Sequence, residues 1–558
     1  MKRRILFILL LLMVICLFSH AEAAGFQLFF SSAAPSSHLS VKHMPPDAIS
    51  VYRSDERYYL LLPAGWDAKN LRVYYTGTKE LYINNEFYAP GDTVSLTPGE
   101  KVQIKTKSGL SYTLRILQSE NIPAIFITTQ SGTIEALKPD KSVREPGLCT
   151  IVHADGSKAY DGALDYLRTR GNASFYYPKK SFQFKLDKSV SIDGMKSDKK
   201  WVLLSNYFDK SLIRNSLSFA IARYSRAYSF VPDSRPVDLY LNHSYYGSFL
   251  LIEKCEIDKN RLNITNLEKA TEQLNSVPLD RFPTFGDRLY ARNGKKGYQI
   301  EKNPQDITGG YLVLCNNRLY FASESSGFVT SRGQAFTIDQ PKYASEAQIN
   351  YLSEQFQLIE DALFQEDGVH PQTGLHWSSY LDKTTFLHRY LHAEITADFD
   401  GQEPYFFKDK DSADPLIYCA PVWDQDNIWG AMENFDHPRQ FCIANDTSLP
   451  YLWFPQAMRH LDFQKEVIQL YQQTYAPALR ILLGEETDPD GLLMSVDAYA
   501  EEIAASAAMD QIRWPIGANR ATNFNPKTGN TPEANVTYVK NFIRKRMEFL
   551  DSQWMKSE

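Results

Sequence analysis

At 558 residues the chain is longer than one simple core, and its length predicts roughly three to four domain-sized units. A hydrophobic share of 43% and a charged share of 23% are those of a globular protein and exclude intrinsic disorder. A net charge of -6, with no basic block beyond the N-terminus, gives no electrostatic footprint for nucleic acid, so no nucleic-acid partner is expected. Lys2 to Arg4, the apolar run from Ile5 to Phe18 and Ala21-Glu22-Ala23 form the basic start, apolar centre and cleavage site of a secretory signal peptide, residues 1–24. That run is shorter than the ~20 residues of a spanning helix, so a secreted or cell-envelope protein with no stable membrane span is expected after cleavage. Ile15 stands before Cys16 where a lipoprotein signal needs a small residue. The five later cysteines, Cys149, Cys255, Cys315, Cys419 and Cys442, are widely spaced without a C-x-x-C pair, which argues against a zinc site or disulfide scaffold. Buried thiols are expected, with one or two disulfides left open. N-x-S/T sequons begin at Asn172, Asn242, Asn263, Asn445 and Asn535.

Residues 25–122 read as a small β-sandwich-like accessory domain. Alternating stretches at 58–62, 71–75, 80–83, 93–96, 102–106 and 112–116 are separated by turn signals such as Pro90-Gly91 and Pro98-Gly99. A strand is expected at 124–129. Farther on, Phe182, Phe184 and Leu186 alternate with Ser181, Gln183 and Lys185, so a strand there sends Lys185 to the face opposite the core. A glycine turn at Gly171 followed by a lysine-bearing strand can hold phosphate.

Residues 200–207 read as a buried strand, and Ser211 is expected to cap a helix with Arg214 and Asn215 at its N-terminal end. Strands follow at 237–241 and 248–252. The stretch 265–292 has little periodicity and reads as an insertion or mobile loop. After a strand at 309–314, Ser345 and Gln348 form a capping box for an amphipathic helix. A helix at 384–396 carries His388 and His392 at zinc-enzyme spacing, but the glutamate of H-E-x-x-H is absent, so structural histidines are expected. A hairpin at 404–423 precedes long helical patterns at 463–483, 489–508 and 533–554.

Asp398 and Asp400 lie before that hairpin and Asp424 and Asp426 after it, two D-x-D pairs in 29 residues of an otherwise aromatic stretch. Two ionised carboxylates ~4 Å apart repel by about 4 kcal/mol at an effective dielectric near 20. Convergence of these pairs needs a cation or a proton.

Several ordered motifs carry a resemblance. The run R-T-R-G-N-A-S-F-Y-Y-P-K-K-S-F-Q-F-K-L from Arg168, K-K-W-V-L-L-S-N-Y-F-D-K-S-L-I-R-N from Lys199, V-D-L-Y-L-N from Val237, T-G-G-Y-L from Thr308 and P-V-W-D-Q-D from Pro421 resemble the spore coat protein H (CotH) kinase-like family. The similarity extends from about residue 123 to near the C-terminus, so 123–558 is expected to be one CotH kinase-like domain. The resemblance implies an α+β fold, an atypical protein-kinase-like two-lobed domain with a β-rich N-lobe and a helical C-lobe. It also implies phosphoryl transfer from ATP, with Mg²⁺ or Mn²⁺, to serines of exported or spore-coat proteins, a Ser-rich acceptor being the expected partner. Neither a Walker P-loop nor G-x-G-x-x-G is present.

By position, the resemblance assigns Asp400 as the acid that orients or deprotonates the acceptor hydroxyl and Asp424, helped by Asp426, as the metal ligand. Lys180 or Lys185 supplies a cation to the phosphates, and Arg214 contacts or braces the same end. The chain departs from the family pattern at Glu403, which can still ligand metal, and at Gln425 and Asn427, where more apolar residues are usual. These departures keep open a second reading, a non-catalytic surface or envelope binding protein. Paired carboxylates also admit a glycoside hydrolase, without a supporting motif.

Overall fold

The computed structural model describes residues 25–34, 44–286, 290–316, 318–398, 404–419, 422–432, 436–444, 453–516 and 529–555. The expected signal peptide, Asp400 and Glu403 lie outside the described residues. Two compact units divide the chain: Met1–Ser205 with Arg235–Leu251 and Glu502–Asn519, and Asn206–Ser234 with Ile252–Glu501 and Arg520–Glu558. The fold is mixed α+β.

The first unit begins with two facing sheets. One orders Ile49–Ser50, Gln27–Ser32, Leu71–Thr76 and Thr93–Val94; the other orders Tyr52–Ser54, Arg57–Leu62, Ser111–Gln118, Lys101–Thr106, Leu81–Ile83 and Glu86–Tyr88. Alternation sets the inner face: in Lys101–Thr106 the side chains of Val102, Ile104 and Thr106 are buried while the intervening ones are exposed. Sequence periodicity found six of these strands, including the two-residue Thr93–Val94, and missed Gln27–Ser32, Ile49–Ser50, Tyr52–Ser54 and Glu86–Tyr88.

Seven strands then close a barrel in the order Ala124–Thr129, Glu145–Val152, Lys158–Arg170, Ser181–Val190, Asp198–Leu204, Ser244–Glu253 and Ser234–Leu241. Parallel pairing of Ala124–Thr129 with Ser234–Leu241 completes it. Ile125, Ile127, Leu167, Phe182, Phe184, Trp201 and Leu203 fill its interior. The alternate residues Ala124 and Phe126 instead join the core of the facing sheets, where Phe126 stacks between Trp66 (5.5 Å) and Tyr240 (4.7 Å). Burial on both faces explains why the strand is buried at every position and apolar from Ala124 to Ile127. The helix Ala504–Arg513 returns to the same unit, burying Met509 in that shared core.

The second unit carries its own seven-stranded sheet: Thr284–Phe285, Lys295–Tyr298, Gly327–Val329, Ala335–Gln340, Tyr311–Asn316, Tyr405–Lys408 and Ile417–Cys419. Helices Arg214–Tyr224, Glu346–Leu363, Lys383–Thr396 and Pro532–Trp554 accompany it. The capping box forms as expected, Ser345 Oγ accepting from Gln348 N and Gln348 returning to Ser345 N. Two expectations are corrected. Ser211 does not cap Arg214–Tyr224; the Asp209 carboxylate does, accepting from Ser211 N (2.9 Å) and Arg214 N (2.8 Å). The stretch 265–292 is not without structure: Asn266 caps a helix, Leu267–Leu274, by accepting from Lys269 N.

All five described cysteines are free thiols. The Asn535 sequon is closed in the folded chain, because its side chain is buried and its amide donates to Thr531 O and Gly529 O. Among the described residues no helix is long and apolar enough to cross a membrane.

Candidate functional site: an acidic loop clamped by two helices

Asp424 opens a loop, residues 424–430, that runs between the start of helix Arg214–Tyr224 and the end of helix Lys383–Thr396. Asp424 is exposed and its backbone is left-handed (φ 59°), as is that of Trp429 (φ 47°). Residues with side chains take this conformation where their surroundings over-determine it.

The surroundings begin at Asp209. Its buried carboxylate pairs with the Arg214 guanidinium and so fixes the direction of that side chain. Arg214 Nε then donates to Ile428 O at 2.8 Å, at the far end of the loop. The neighbouring Asn215 accepts at Oδ1 from Gln425 N (2.9 Å) at the near end, while its own amide donates to Asn206 Oδ1 (3.0 Å). One helix terminus therefore holds both ends of the loop.

The second helix ends at Ala397, which is left-handed (φ 50°) and turns the chain into Asp398. Trp429 N donates to Thr396 O (2.8 Å) and Trp429 Nε1 to Ile395 O (3.2 Å), binding the loop to that terminus. Asp398 is fully buried, accepts from Gln425 Nε2 (2.9 Å) and faces Arg389 Nη2 (3.5 Å). The four acids thus separate: Asp424 is exposed, Asp426 is half-buried, Asp398 is internal, and Asp400 lies outside the described residues.

The two histidines are structural. His388 Nδ1 lies 2.9 Å from Tyr475 OH, and burial pushes its pKa down to about 4. His392 Nε2 lies 2.8 Å from Ser218 Oγ, and burial followed by the nearby Arg389 holds it well below the usual range.

Glu394, two residues before the helix end, was not singled out as a functional side chain by its sequence. Its buried carboxylate accepts from the backbone of Cys442 (2.7 Å), Ile443 (3.0 Å) and Ala444 (3.1 Å) and from Arg546 Nη2 (2.6 Å). A glutamate facing into an apolar helix was the available signal. Its partners, 48 to 152 residues away, gave none.

Lys180 and Lys185 belong to the first unit. Lys180 Nζ donates to Phe175 O and sits 5.2 Å from that ring, burial holding its pKa below the ordinary lysine value. Lys185 pairs with Asp165 at 2.8 Å. The buried lysine of this run is its neighbour Lys179, which donates to Ser248 O (2.6 Å) and pairs with Asp510 (2.7 Å). Burial pushes Lys179 downward and Asp510 opposes the shift. Of the residues singled out by sequence, the structure brings Arg214 to the loop of Asp424 and Asp426.

The family described as CotH kinase protein matches residues 167–550. The chain belongs to the CotH kinase family. No curated protein matches it. The CotH match starts in the third barrel strand, leaves the facing sheets outside it, and includes the acidic loop and both of its clamping helices.

Among the described residues no group of three or more His, Cys, Asp or Glu side chains could hold a metal ion. Two hard carboxylates on one short loop still fit Mg²⁺ or Mn²⁺, since Mg²⁺ is commonly held by one or two carboxylates with nucleotide phosphates and water completing its shell.

Proposed function

We propose that this CotH family member is an exported protein kinase that transfers the γ-phosphoryl group of ATP to serine hydroxyls of secreted, envelope or spore-coat proteins. The observation that carries the reading is the acidic loop: Asp424 is presented outward in a left-handed backbone held by two helix termini. In this reading Asp424 and Asp426, with Glu403, hold the divalent cation, which neutralises charge on the phosphates. Asp400 takes the proton of the serine hydroxyl as its Oγ bonds to the γ-phosphorus and the bond to the β–γ bridging oxygen breaks. Lys180 or Lys185 contacts the phosphates. Arg214 acts by bracing the loop.

The proposed organisation is a signal peptide at 1–24, an accessory part at 25–122 and a kinase part at 123–558, two-lobed with nucleotide between the lobes. The chain from residue 25 onward, incubated with labelled ATP, Mg²⁺ or Mn²⁺ and a Ser-rich acceptor, is expected to transfer label. Asp400→Ala and Asp424→Ala are each expected to lower transfer by at least a hundredfold. Equal label in all three proteins, or none in any, overturns the reading.

One observation favours the second reading, a non-catalytic binding protein. Lys180 and Lys185 both have protein partners, Phe175 O and Asp165. That reading predicts no metal-dependent ATP binding at all.

A further inference from the structure

We infer that Gln425 is a positioning residue that sets the geometry of the cation-binding loop through a buried polar relay. The inference rests on the reading of Asp424 as a cation ligand.

Gln425 lies between the exposed Asp424 and the half-buried Asp426, yet it is only 1% exposed. Its backbone N donates to Asn215 Oδ1 (2.9 Å). Its Nε2 donates to Asp398 Oδ2 (2.9 Å) and to Trp423 O (3.1 Å), using both amide hydrogens, and its Oε1 accepts from Ser218 Oγ (3.0 Å). The bond to Trp423 O reaches back across Asp424, so of the peptide groups on the two sides of the left-handed residue one is held by the Gln425 side chain and the other by Asn215. Because the Ser218 hydroxyl hydrogen points to Gln425, His392 must donate to Ser218 from Nε2, which assigns that tautomer. The relay therefore runs from His392 through Ser218 and Gln425 to Asp398, which also faces Arg389 at 3.5 Å.

Only an amide satisfies both ends of the relay. A leucine leaves the Ser218 hydroxyl and one Asp398 oxygen without this partner and releases Trp423 O. A glutamate sets a second carboxylate against Asp398 and leaves Trp423 O without its donor.

The test is Mn²⁺ binding to the chain from residue 25 onward in the presence of ATP, followed by electron paramagnetic resonance of the free ion and read against the same titration of ATP alone, which itself binds Mn²⁺. Gln425→Leu is expected to raise the half-saturating Mn²⁺ concentration about tenfold, and Ser218→Ala about threefold, with far-UV circular dichroism unchanged. Gln425→Met, which keeps the length of the side chain and loses its amide, is expected to weaken binding as Gln425→Leu does, a signature that lost packing alone does not give. If Gln425→Leu fails to fold, Ser218→Ala and Gln425→Met decide. Wild-type Mn²⁺ affinity in these variants overturns the inference alone. Failure of the unaltered chain itself to bind Mn²⁺ overturns the kinase reading and this inference with it.

Discussion

Arg546 and Glu394 form a fully buried ion pair, and the pair locks the last long helix to the helix that ends at the acidic loop. Removing one partner of such a pair leaves a buried charge, which costs about 3–5 kcal/mol. Arg546→Met is therefore expected to lower the unfolding free energy of the second unit by an amount of that order, measured by urea denaturation of the full chain. Asp238 behaves differently. It accepts from Ser506 Oγ (2.7 Å) and Tyr245 OH (3.0 Å) in a fully buried site, and burial, assisted by the neighbouring Asp510, raises its pKa to about 6. The raised value means that the protonated form stabilises the fold. That contribution is complete below about pH 4, the range of an unfolded Asp, and is lost as the pH climbs through about 6, a difference of roughly 3 kcal/mol. Asp238→Asn should be flatter than wild type between pH 4 and 6 when stability is followed by chemical denaturation. In sequence the acids of the two D-x-D pairs look alike. Asp398 is separated from Asp424 by partners such as Arg389 and Gln425, whose convergence depends on tertiary structure. Gln425 itself reads from sequence only as a departure from the family pattern, and its four bonds make sense of it.

At the scale of elements, signals confined to a few residues were legible. The capping box at Ser345 and the strand at Ala124–Thr129 were both read correctly, the first from a four-residue pattern and the second from its apolar run. Longer-range devices were not. Asp209 caps its helix from five residues before Arg214, and the helical pattern at 463–483 is interrupted by a π-turn, Tyr471–Tyr475, whose last residue meets His388. The T-G-G-Y motif was legible as a family mark but not as mechanics. A Cβ on Gly309 would lie 1.9 Å from Lys410 N and 2.0 Å from Asp409 C, so the glycine is required where the strand Tyr405–Lys408 closes on Tyr311–Asn316. Gly309→Ala is expected to destabilise that pairing by at least about 1–3 kcal/mol, as backbone overpacking does. Faster hydrogen exchange at Gly310 N, which donates to Lys408 O (2.8 Å), is the measurement that checks it.

At the scale of the molecule, the mixed α+β class was readable because strand signals dominate the earlier part of the chain and helical periods the later part, in agreement with the family resemblance. The discontinuity of the two units was not, because no local signal marks where a chain leaves one core and returns. Helix Ala504–Arg513 re-enters the first unit far from the rest of it in sequence, and Asp510 meets Lys179 across 331 residues. Asp510→Ala leaves a buried lysine with Ser248 O as its remaining partner among the bonds described, and is expected to destabilise the first unit by about 3–5 kcal/mol. Amide exchange should quicken in the barrel strands and stay unchanged in helix Glu346–Leu363.

That late return has a consequence for the order in which the protein is made. At about 5–20 residues per second, the ribosome needs roughly 13–52 s to travel from the end of strand Ser244–Glu253, the last barrel strand in sequence, to the end of helix Ala504–Arg513. Throughout that interval the nascent barrel lacks the carboxylate for Lys179 and the cover that Met509 gives to Tyr240 and Tyr245. The first unit to emerge is therefore among the last to be completed.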